Sequence, residues 1–165
     1  MILRIICFFA KKNIMVTIES IEGFISNKNI AVIGASSHKK KFGYIILDHL
    51  LKRGFNVVPV NPTAGEILGL QCYTTIESLP SDFKAVVFVT KPNITEATTK
   101  QICSDNKIEY LWYQQGSVNK QTIDLAINSG KKVIHGECIL MFTKPSGFPH
   151  DFHMFFKKVF GRYPK

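Results

Sequence analysis

The sequence contains no closely spaced pair of cysteines. Its four cysteines, Cys7, Cys72, Cys103 and Cys138, are separated by long stretches of other residues. That spacing excludes a zinc ribbon and gives no sign of the disulfide framework typical of small secreted domains. We therefore expect a protein whose thiols stay reduced, in a cytoplasmic setting.

Acidic residues are also scarce. The 165 residues include 12 Asp and Glu against 21 Lys and Arg, which gives a formal net charge of +9. Such an excess favours polyanionic partners: nucleic acid, an acidic membrane surface or a phosphate-rich small molecule. A basic surface without a specific partner is the alternative, and net charge alone does not separate the two.

A long hydrophobic run is missing at the start of the chain, where a targeting segment is commonly found. Residues 1–14 hold a short apolar run, but Arg4 interrupts it and no small-residue cleavage site follows. A secretory signal is disfavoured, and a spanning helix is excluded by length. We expect residues 1–14 to be a dispensable extension, residues 15–140 to form one domain, and residues 141–165 to be a tail.

From Thr17 onward, apolar runs alternate with stretches of helical periodicity. The pattern predicts five strands, over residues 29–35, 55–62, 85–90, 109–114 and 131–136. Helices are predicted between them and ahead of them, over residues 17–27, 41–53, 93–106 and 117–129. Residues 63–84 are turn-rich, with at most one short element. Strands alternating with helices indicate an α/β fold with a doubly wound parallel sheet of about five strands, covered on both faces.

Local signals give the expected helix ends and faces. Thr17 and Ser117 are predicted N-caps, and Asn93-x-x-Glu96 has the spacing of a capping box. The second helix is expected to bury one stripe made of Phe42, Ile45, Ile46 and Leu50. Glycines end two helices, at Gly54 and Gly130.

The tail carries a second apolar stripe. Six side chains fall on one helical face, namely Phe148, Phe152, Phe155, Phe156, Val159 and Phe160. A basic amphipathic helix can lie on a membrane, but such a stripe more commonly docks on the protein or contacts another subunit. We expect an added C-terminal amphipathic helix that is docked.

Small, polar or rigid residues follow the predicted strands. In a parallel sheet, ligands bind outside the carboxyl ends of the strands, near the point where the strand order reverses. The backbone N–H groups of the first loop, with Ser36 and Ser37, would face a pyrophosphate at a helix N-terminus. Three lysines could bind a further phosphate, although a solvated surface run is the alternative. The candidate binding residues of these loops are Gly34, Ala35, Ser36, Ser37, Lys39, Lys40, Lys41, Asn61, Pro62, Thr90, Lys91, Pro92, Gln115 and Gly116.

The usual dinucleotide fingerprint is absent. The motif G-x-G-x-x-G needs a glycine where Ser36 stands, and Asn61-Pro62 replaces the acidic residue that holds a ribose. A nicotinamide or flavin cofactor is therefore disfavoured. The five histidines form neither a catalytic triad nor a metal set by spacing, so catalysis has no support.

Four runs in order, IAVIGASS, VVPVNP, VFVTKP and LWYQQG, resemble the single-domain CoA-binding proteins. These are stand-alone relatives of the nucleotide-binding domain of succinyl-CoA synthetase α subunits. The resemblance covers about residues 17–140 and implies a Rossmann-like fold. It also implies coenzyme A held by Gly34–Ser36, Asn61-Pro62, Thr90–Pro92 and Gln115-Gly116. The lysines at 39–41 match no motif of the family, and their role remains a physical inference.

We therefore expect a protein that binds coenzyme A or an acyl-CoA without catalysis of its own. Its ligand would be this small-molecule nucleotide, and the protein would serve as a sensor, form a homo-oligomer or belong to a larger enzyme complex. We expect no specific nucleic acid partner and no membrane partner. Two alternatives stay open: an NAD(P)-linked oxidoreductase, and a nucleotide-responsive regulatory protein.

Overall fold

The computed structural model describes residues 16–105 and 107–143. In this part of the chain the helices are α1 (Ile18–Ile25), α2 (Phe42–Lys52), α3 (Pro92–Ser104) and α4 (Lys120–Asn128). The strands are β1 (Asn29–Ile33), β2 (Asn56–Val60), β3 (Glu66–Ile67), β4 (Leu70–Gln71), β5 (Ala85–Phe88), β6 (Tyr110–Tyr113) and β7 (Lys132–His135). The predictions for residues 1–14 and for the helix of the tail lie outside the described residues.

Five strands form one parallel sheet in the order β2-β1-β5-β6-β7. β1 lies between its two partners in continuous register, with Ile30 opposite Val57 on one side and Ala85 on the other. The chain adds β2 on one side of β1 and then crosses back to add β5 on the other. The strand order therefore reverses between β1 and β5, which is the switch point of a doubly wound sheet. The predicted fold class is confirmed.

The side chains of β1 supply both faces of the sheet. Ile30 and Val32 belong to a core cluster with α1 and α2, whereas Ala31 and Ile33 belong to a second cluster with α3 and α4. Successive side chains of a strand point to opposite faces, so a strand covered on both sides must be apolar throughout. This explains why the strands were visible in the sequence as uninterrupted apolar runs.

Two helix starts differ from prediction. α3 begins at Pro92, with Lys91 as its N-cap, so Asn93 lies inside the helix and forms no capping box. The fixed φ of proline suits a first helical position, and the helix therefore starts there. α4 is capped by Asn119, whose side chain accepts a hydrogen bond from the Thr122 N–H, and not by Ser117. The Thr17 cap of α1 is confirmed.

The buried face of α2 also differs from prediction. Its buried residues are Gly43, Ile46, Leu47 and Leu50, whereas Phe42 and Ile45 are 42% and 40% exposed. The stripe that faces the sheet runs at spacings of three and four residues from Gly43, which leaves Phe42 and Ile45 at its margin. The connection of residues 63–84 contains two short elements rather than one, the antiparallel pair β3–β4.

Candidate functional site

The loop after β1 packs against its neighbours so closely that two positions require glycine. Gly34 has φ +89°, and a Cβ atom there would lie 2.7 Å from Cγ2 of Thr90 in the loop after β5. A Cβ atom on Gly43, in the first turn of α2, would lie 2.2 Å from the carbonyl oxygen of Gly34. β1, α2 and the loop after β5 therefore meet with backbone almost touching backbone. This is the close approach that the glycines of a nucleotide-binding turn provide.

Two helices begin beside the switch point without a side-chain cap. Lys41 is the N-cap residue of α2 and Lys91 that of α3, and neither side chain accepts a hydrogen bond from the first turn. α4, which begins farther along the same edge of the sheet, is capped by Asn119. The first N–H groups of a helix have no partner within it, and the helix dipole makes this end attractive to anions. In α2 the N–H groups of Phe42 and Gly43 are left for an anionic ligand, and in α3 that of Asn93 is left, because Pro92 has no N–H.

Asn61, a predicted ligand contact, connects two loops of the site through its side chain. Its Nδ2 donates to the carbonyl oxygen of Ala35 at 2.8 Å, which ties the loop after β1 to the end of β2. Its Oδ1 accepts from the N–H groups of Thr63 and Ala64, at 2.8 and 3.0 Å. The side chain is therefore already committed to holding two loops of the site in place. Neighbouring Pro62 is exposed.

An open cleft of about 270 Å³ lies between the loops that follow β5 and β6. Its lining consists of Phe42, residues 89–92 and residues 114–117. Five predicted binding residues come together here, namely Thr90, Lys91, Pro92, Gln115 and Gly116. Phe42, Val89, Gln114 and Ser117 also line the cleft, and the sequence did not identify them as binding residues.

The predicted residues of the loop after β1 do not line this cleft. Ser36 accepts a hydrogen bond from the His38 N–H at 3.2 Å, so its hydroxyl helps to shape the turn. Ser37 and the three lysines Lys39–Lys41 are exposed on the same loop. Ala35, by contrast, is 2% exposed and packs in the core. The loop therefore places three exposed lysines directly before α2, whose first residue, Phe42, lines the cleft.

Gln114 is the polar side chain that the structure leaves unsatisfied. The residue is 2% exposed, and its Nε2 is the one buried side-chain nitrogen or oxygen without a hydrogen-bond partner among residues 16–105 and 107–143. The adjacent Gln115 is exposed and donates from Nε2 to the carbonyl oxygen of Gly136 at 3.0 Å. One signal in the sequence could have identified Gln114: it is a polar residue placed directly after the apolar strand β6.

Two titratable groups near the carboxyl ends of β6 and β7 are perturbed. Burial lowers the pKa of the half-buried His135, while the charge of Glu137 acts in the opposite direction. Burial raises the pKa of Tyr113, whose hydroxyl lies 2.9 Å from that of Thr99, so this phenol stays neutral. In the described part of the chain, no three His, Cys, Asp or Glu side chains are grouped as a metal site requires. Nor does any helix there have the length and apolar character needed to cross a bilayer.

The strand order, with its reversal between β1 and β5, defines a doubly wound, Rossmann-like α/β domain. Residues 28–144 match the family model described as a CoA binding domain, and the chain belongs to this family. The expectation raised by the four ordered sequence runs is thereby confirmed at the level of the family.

Curated relatives fall into two size classes. The chain is 26% identical over 114 residues to the Bacillus subtilis protein YneT, covering 68% of this chain and 83% of YneT. It is 32% identical over 82 residues to an ADP-forming acetate–CoA ligase of Methanocaldococcus jannaschii, covering half of this chain but 12% of the ligase. The described domain therefore corresponds to most of a small protein and to a small part of a much larger enzyme.

Similar solved structures also include both small proteins and a much larger synthetase. A protein from Pyrococcus furiosus is 37% identical with a TM-score of 0.65, and the match covers 67% of this chain and 95% of that one. A protein from Pyrococcus horikoshii is 28% identical with a TM-score of 0.70, over 75% and 87% of the two chains. The acetyl-coenzyme A synthetase 1 of Candidatus Korarchaeum cryptofilum, solved with phosphate and ADP, is 26% identical with a TM-score of 0.58. That match covers 65% of this chain and 25% of the synthetase.

Proposed function

We propose that this protein binds coenzyme A or an acyl-CoA across the carboxyl ends of β1, β5 and β6. The observation that carries the proposal is the arrangement of the switch point, beside the cleft between the loops after β5 and β6. There two helices begin without side-chain caps, and two glycines allow α2 and the loop after β5 to pack directly against the loop after β1. Membership of the CoA binding domain family supports the same ligand.

The phosphates of the ligand belong at the switch point. The N-terminal N–H groups of α2 and α3 would hold the pyrophosphate, because a helix N-terminus attracts anions. The exposed lysines Lys39–Lys41 extend from the same loop and would bind the 3′-phosphate, which NAD lacks. Gly34, Ser36 and the loop held by Asn61 set the position of the backbone donors, and Thr90 closes the turn from the other side.

The cleft itself is suited to binding rather than to proton transfer. Its lining contains one charged side chain, Lys91, and no carboxylate, imidazole or thiol. General acid–base catalysis needs a titratable pair within hydrogen-bond reach of the reacting group, and the lining supplies none. In this proposal the protein presents its ligand, and any chemistry on the acyl group comes from another protein.

A partner is consistent with the relatives. One of them is named the α subunit of ADP-forming acetate–CoA ligase II of Pyrococcus furiosus, and it is 24% identical over 127 residues, 70% of this chain and 28% of that subunit. We propose that this chain likewise acts in a homo-oligomer or in a larger enzyme complex that uses the bound CoA.

Calorimetric titration with coenzyme A, 3′-dephospho-CoA and NAD tests the ligand. We expect coenzyme A to bind most tightly, and the variant Lys39/Lys40/Lys41→Ala to bind it about tenfold more weakly, because a charge-assisted hydrogen bond to phosphate is lost. The same variant should bind dephospho-CoA almost as well as the wild type does. The preference for coenzyme A should shrink as salt rises, since exposed charges are screened.

A matched triple variant controls for net charge. Lys28 and Lys84 precede β1 and β5 at the opposite edge of the sheet, and Lys52 lies at the far end of α2. Lys28/Lys52/Lys84→Ala removes the same charge and is expected to change coenzyme A affinity less than about threefold. If both triple variants lost the same coenzyme A affinity, the effect of Lys39–Lys41 would come from net charge and not from a contact with the 3′-phosphate. Tighter binding of NAD than of coenzyme A would overturn the proposed ligand and favour the nicotinamide alternative.

A further inference from the structure

The unpaired amide of Gln114 requires an acceptor that the described protein does not provide. A buried donor without a partner costs about as much as a lost hydrogen bond, and native proteins rarely leave one. Gln114 is one of the residues that line the cleft between the β5 and β6 loops, and its Nε2 lies buried behind that lining. A ligand atom in the cleft is therefore the natural partner of Nε2.

The backbone around Gln114 holds this donor in a fixed place. Its N–H donates to the carbonyl oxygen of Phe88 at 3.2 Å, which extends the β5–β6 pairing by one residue. Its carbonyl oxygen accepts from both the N–H and the hydroxyl of Ser117, at 3.0 and 2.7 Å. Ser117 is itself 3% exposed, so the turn that follows the strand is tied down from inside. Because the backbone that carries this donor is held in place, a ligand must present its acceptor atom at the right position as well as have one.

The chemistry of the cleft indicates which part of the ligand it takes. Phe42, Val89 and Pro92 provide apolar surface, the hydroxyl and amide groups beside them are neutral, and Lys91 is the one charged side chain of the lining. The three-lysine run lies on the β1 loop, outside this lining. The phosphates are best placed where Lys91 and the N-termini of α2 and α3 border the cleft, whereas an uncharged chain with amide groups fits its apolar surface and its one free amide donor.

We propose that Gln114 Nε2 donates a hydrogen bond to an amide carbonyl oxygen of the pantetheine arm, and that this contact is how the cleft recognises the arm. This inference rests on the proposed coenzyme A function and assigns the arm to one specific side chain. Gln114 is then a specificity-determining residue, distinct from the groups that hold the phosphates.

Gln114→Met tests the contact, because methionine keeps the length of the side chain and removes the donor. We expect the unliganded variant to melt no lower than the wild type, since it loses a buried group that had no partner. Coenzyme A should bind about tenfold more weakly, while adenosine 3′,5′-bisphosphate, which lacks the arm, should change less than about twofold. Gln114→Glu, which keeps the size and replaces the donor with an acceptor, should weaken coenzyme A at least as much.

Amide NMR of the wild type gives a second readout that does not depend on a variant. The Nε2 protons of Gln114 should shift when coenzyme A saturates the protein. The inference is overturned if they do not shift, if Gln114→Met binds coenzyme A as the wild type does, or if it loses affinity for both ligands equally. Failure of the proposed function would look different, because the wild type itself would then not bind coenzyme A.

Discussion

Gly43→Ala is expected to lower the melting temperature by about 10 °C and to abolish coenzyme A binding. The added methyl group would lie 2.2 Å from the carbonyl oxygen of Gly34 and 3.2 Å from Cα of Ala35. Both atoms belong to the backbone, so no side chain can rotate away, and α2 or the β1 loop must move. Overpacking of this kind costs about 1–3 kcal/mol, and a clash with backbone belongs at the upper end. The displaced elements are those that present the phosphate donors.

Gly23→Ala is the matched control, because Gly23 also lies in a helix. A Cβ atom there would lie 3.6 Å from a ring carbon of Tyr110, an ordinary contact. Replacing a helical glycine with alanine typically stabilises by about 0.5–1 kcal/mol, so this variant should melt at or slightly above the wild type and bind coenzyme A normally. Normal binding by Gly43→Ala, measured by calorimetry on folded protein, would contradict the proposed role of this contact.

Phe24→Ala is expected to reduce the free energy of unfolding by about 3–5 kcal/mol without changing coenzyme A affinity. Phe24 of α1 is fully buried, and its ring meets that of Trp112 edge-on with centroids 5.1 Å apart. Truncation leaves a cavity between α1 and β6. Since native domains are stable by only about 5–15 kcal/mol, this loss is large. Denaturant unfolding and calorimetry on the same sample measure the two quantities.

Phe42→Ala should show the opposite pattern. Its side chain is 42% exposed and lines the cleft, so the cost in stability should stay below about 1 kcal/mol while coenzyme A binds several-fold more weakly. If Phe24→Ala weakened binding in the folded protein as much as Phe42→Ala does, the ligand would depend on the α1 side of the core. The assignment of the ligand to the cleft between the β5 and β6 loops would then be wrong.

The architecture was predictable because local patterns and the global fold agree. Strands buried on both faces are apolar throughout, and the helices between them have capping signals and glycine stops, as at Thr17 and Gly54. Errors arose where two local signals competed. Pro92 supplied a first helical position one residue before the motif that begins at Asn93, and Asn119 capped α4 in place of Ser117.

The site was predictable in part. The principle that ligands bind beyond the carboxyl ends of parallel strands pointed to the loops that hold Thr90–Pro92 and Gln115-Gly116, and the structure brings these residues together in one cleft. It could not tell that Asn61 is committed to bracing the β1 loop, because that bond joins residues 26 apart. Nor could it identify Gly43, whose need for glycine arises from the packing of α2 against Gly34. Such constraints depend on tertiary distances that no local pattern encodes.

Hydrogen–deuterium exchange with and without saturating coenzyme A tests the central claim most directly, because it reports both binding and place. We expect slower exchange in residues 34–44, 90–95 and 114–120, where the ligand would occupy backbone donors and restrain the loops. Residues at the opposite edge of the sheet, such as 28–29, 84–85 and 131–132, should exchange as before. Unchanged exchange in the three loops under saturating coenzyme A, or slowing confined to the opposite edge, would contradict it.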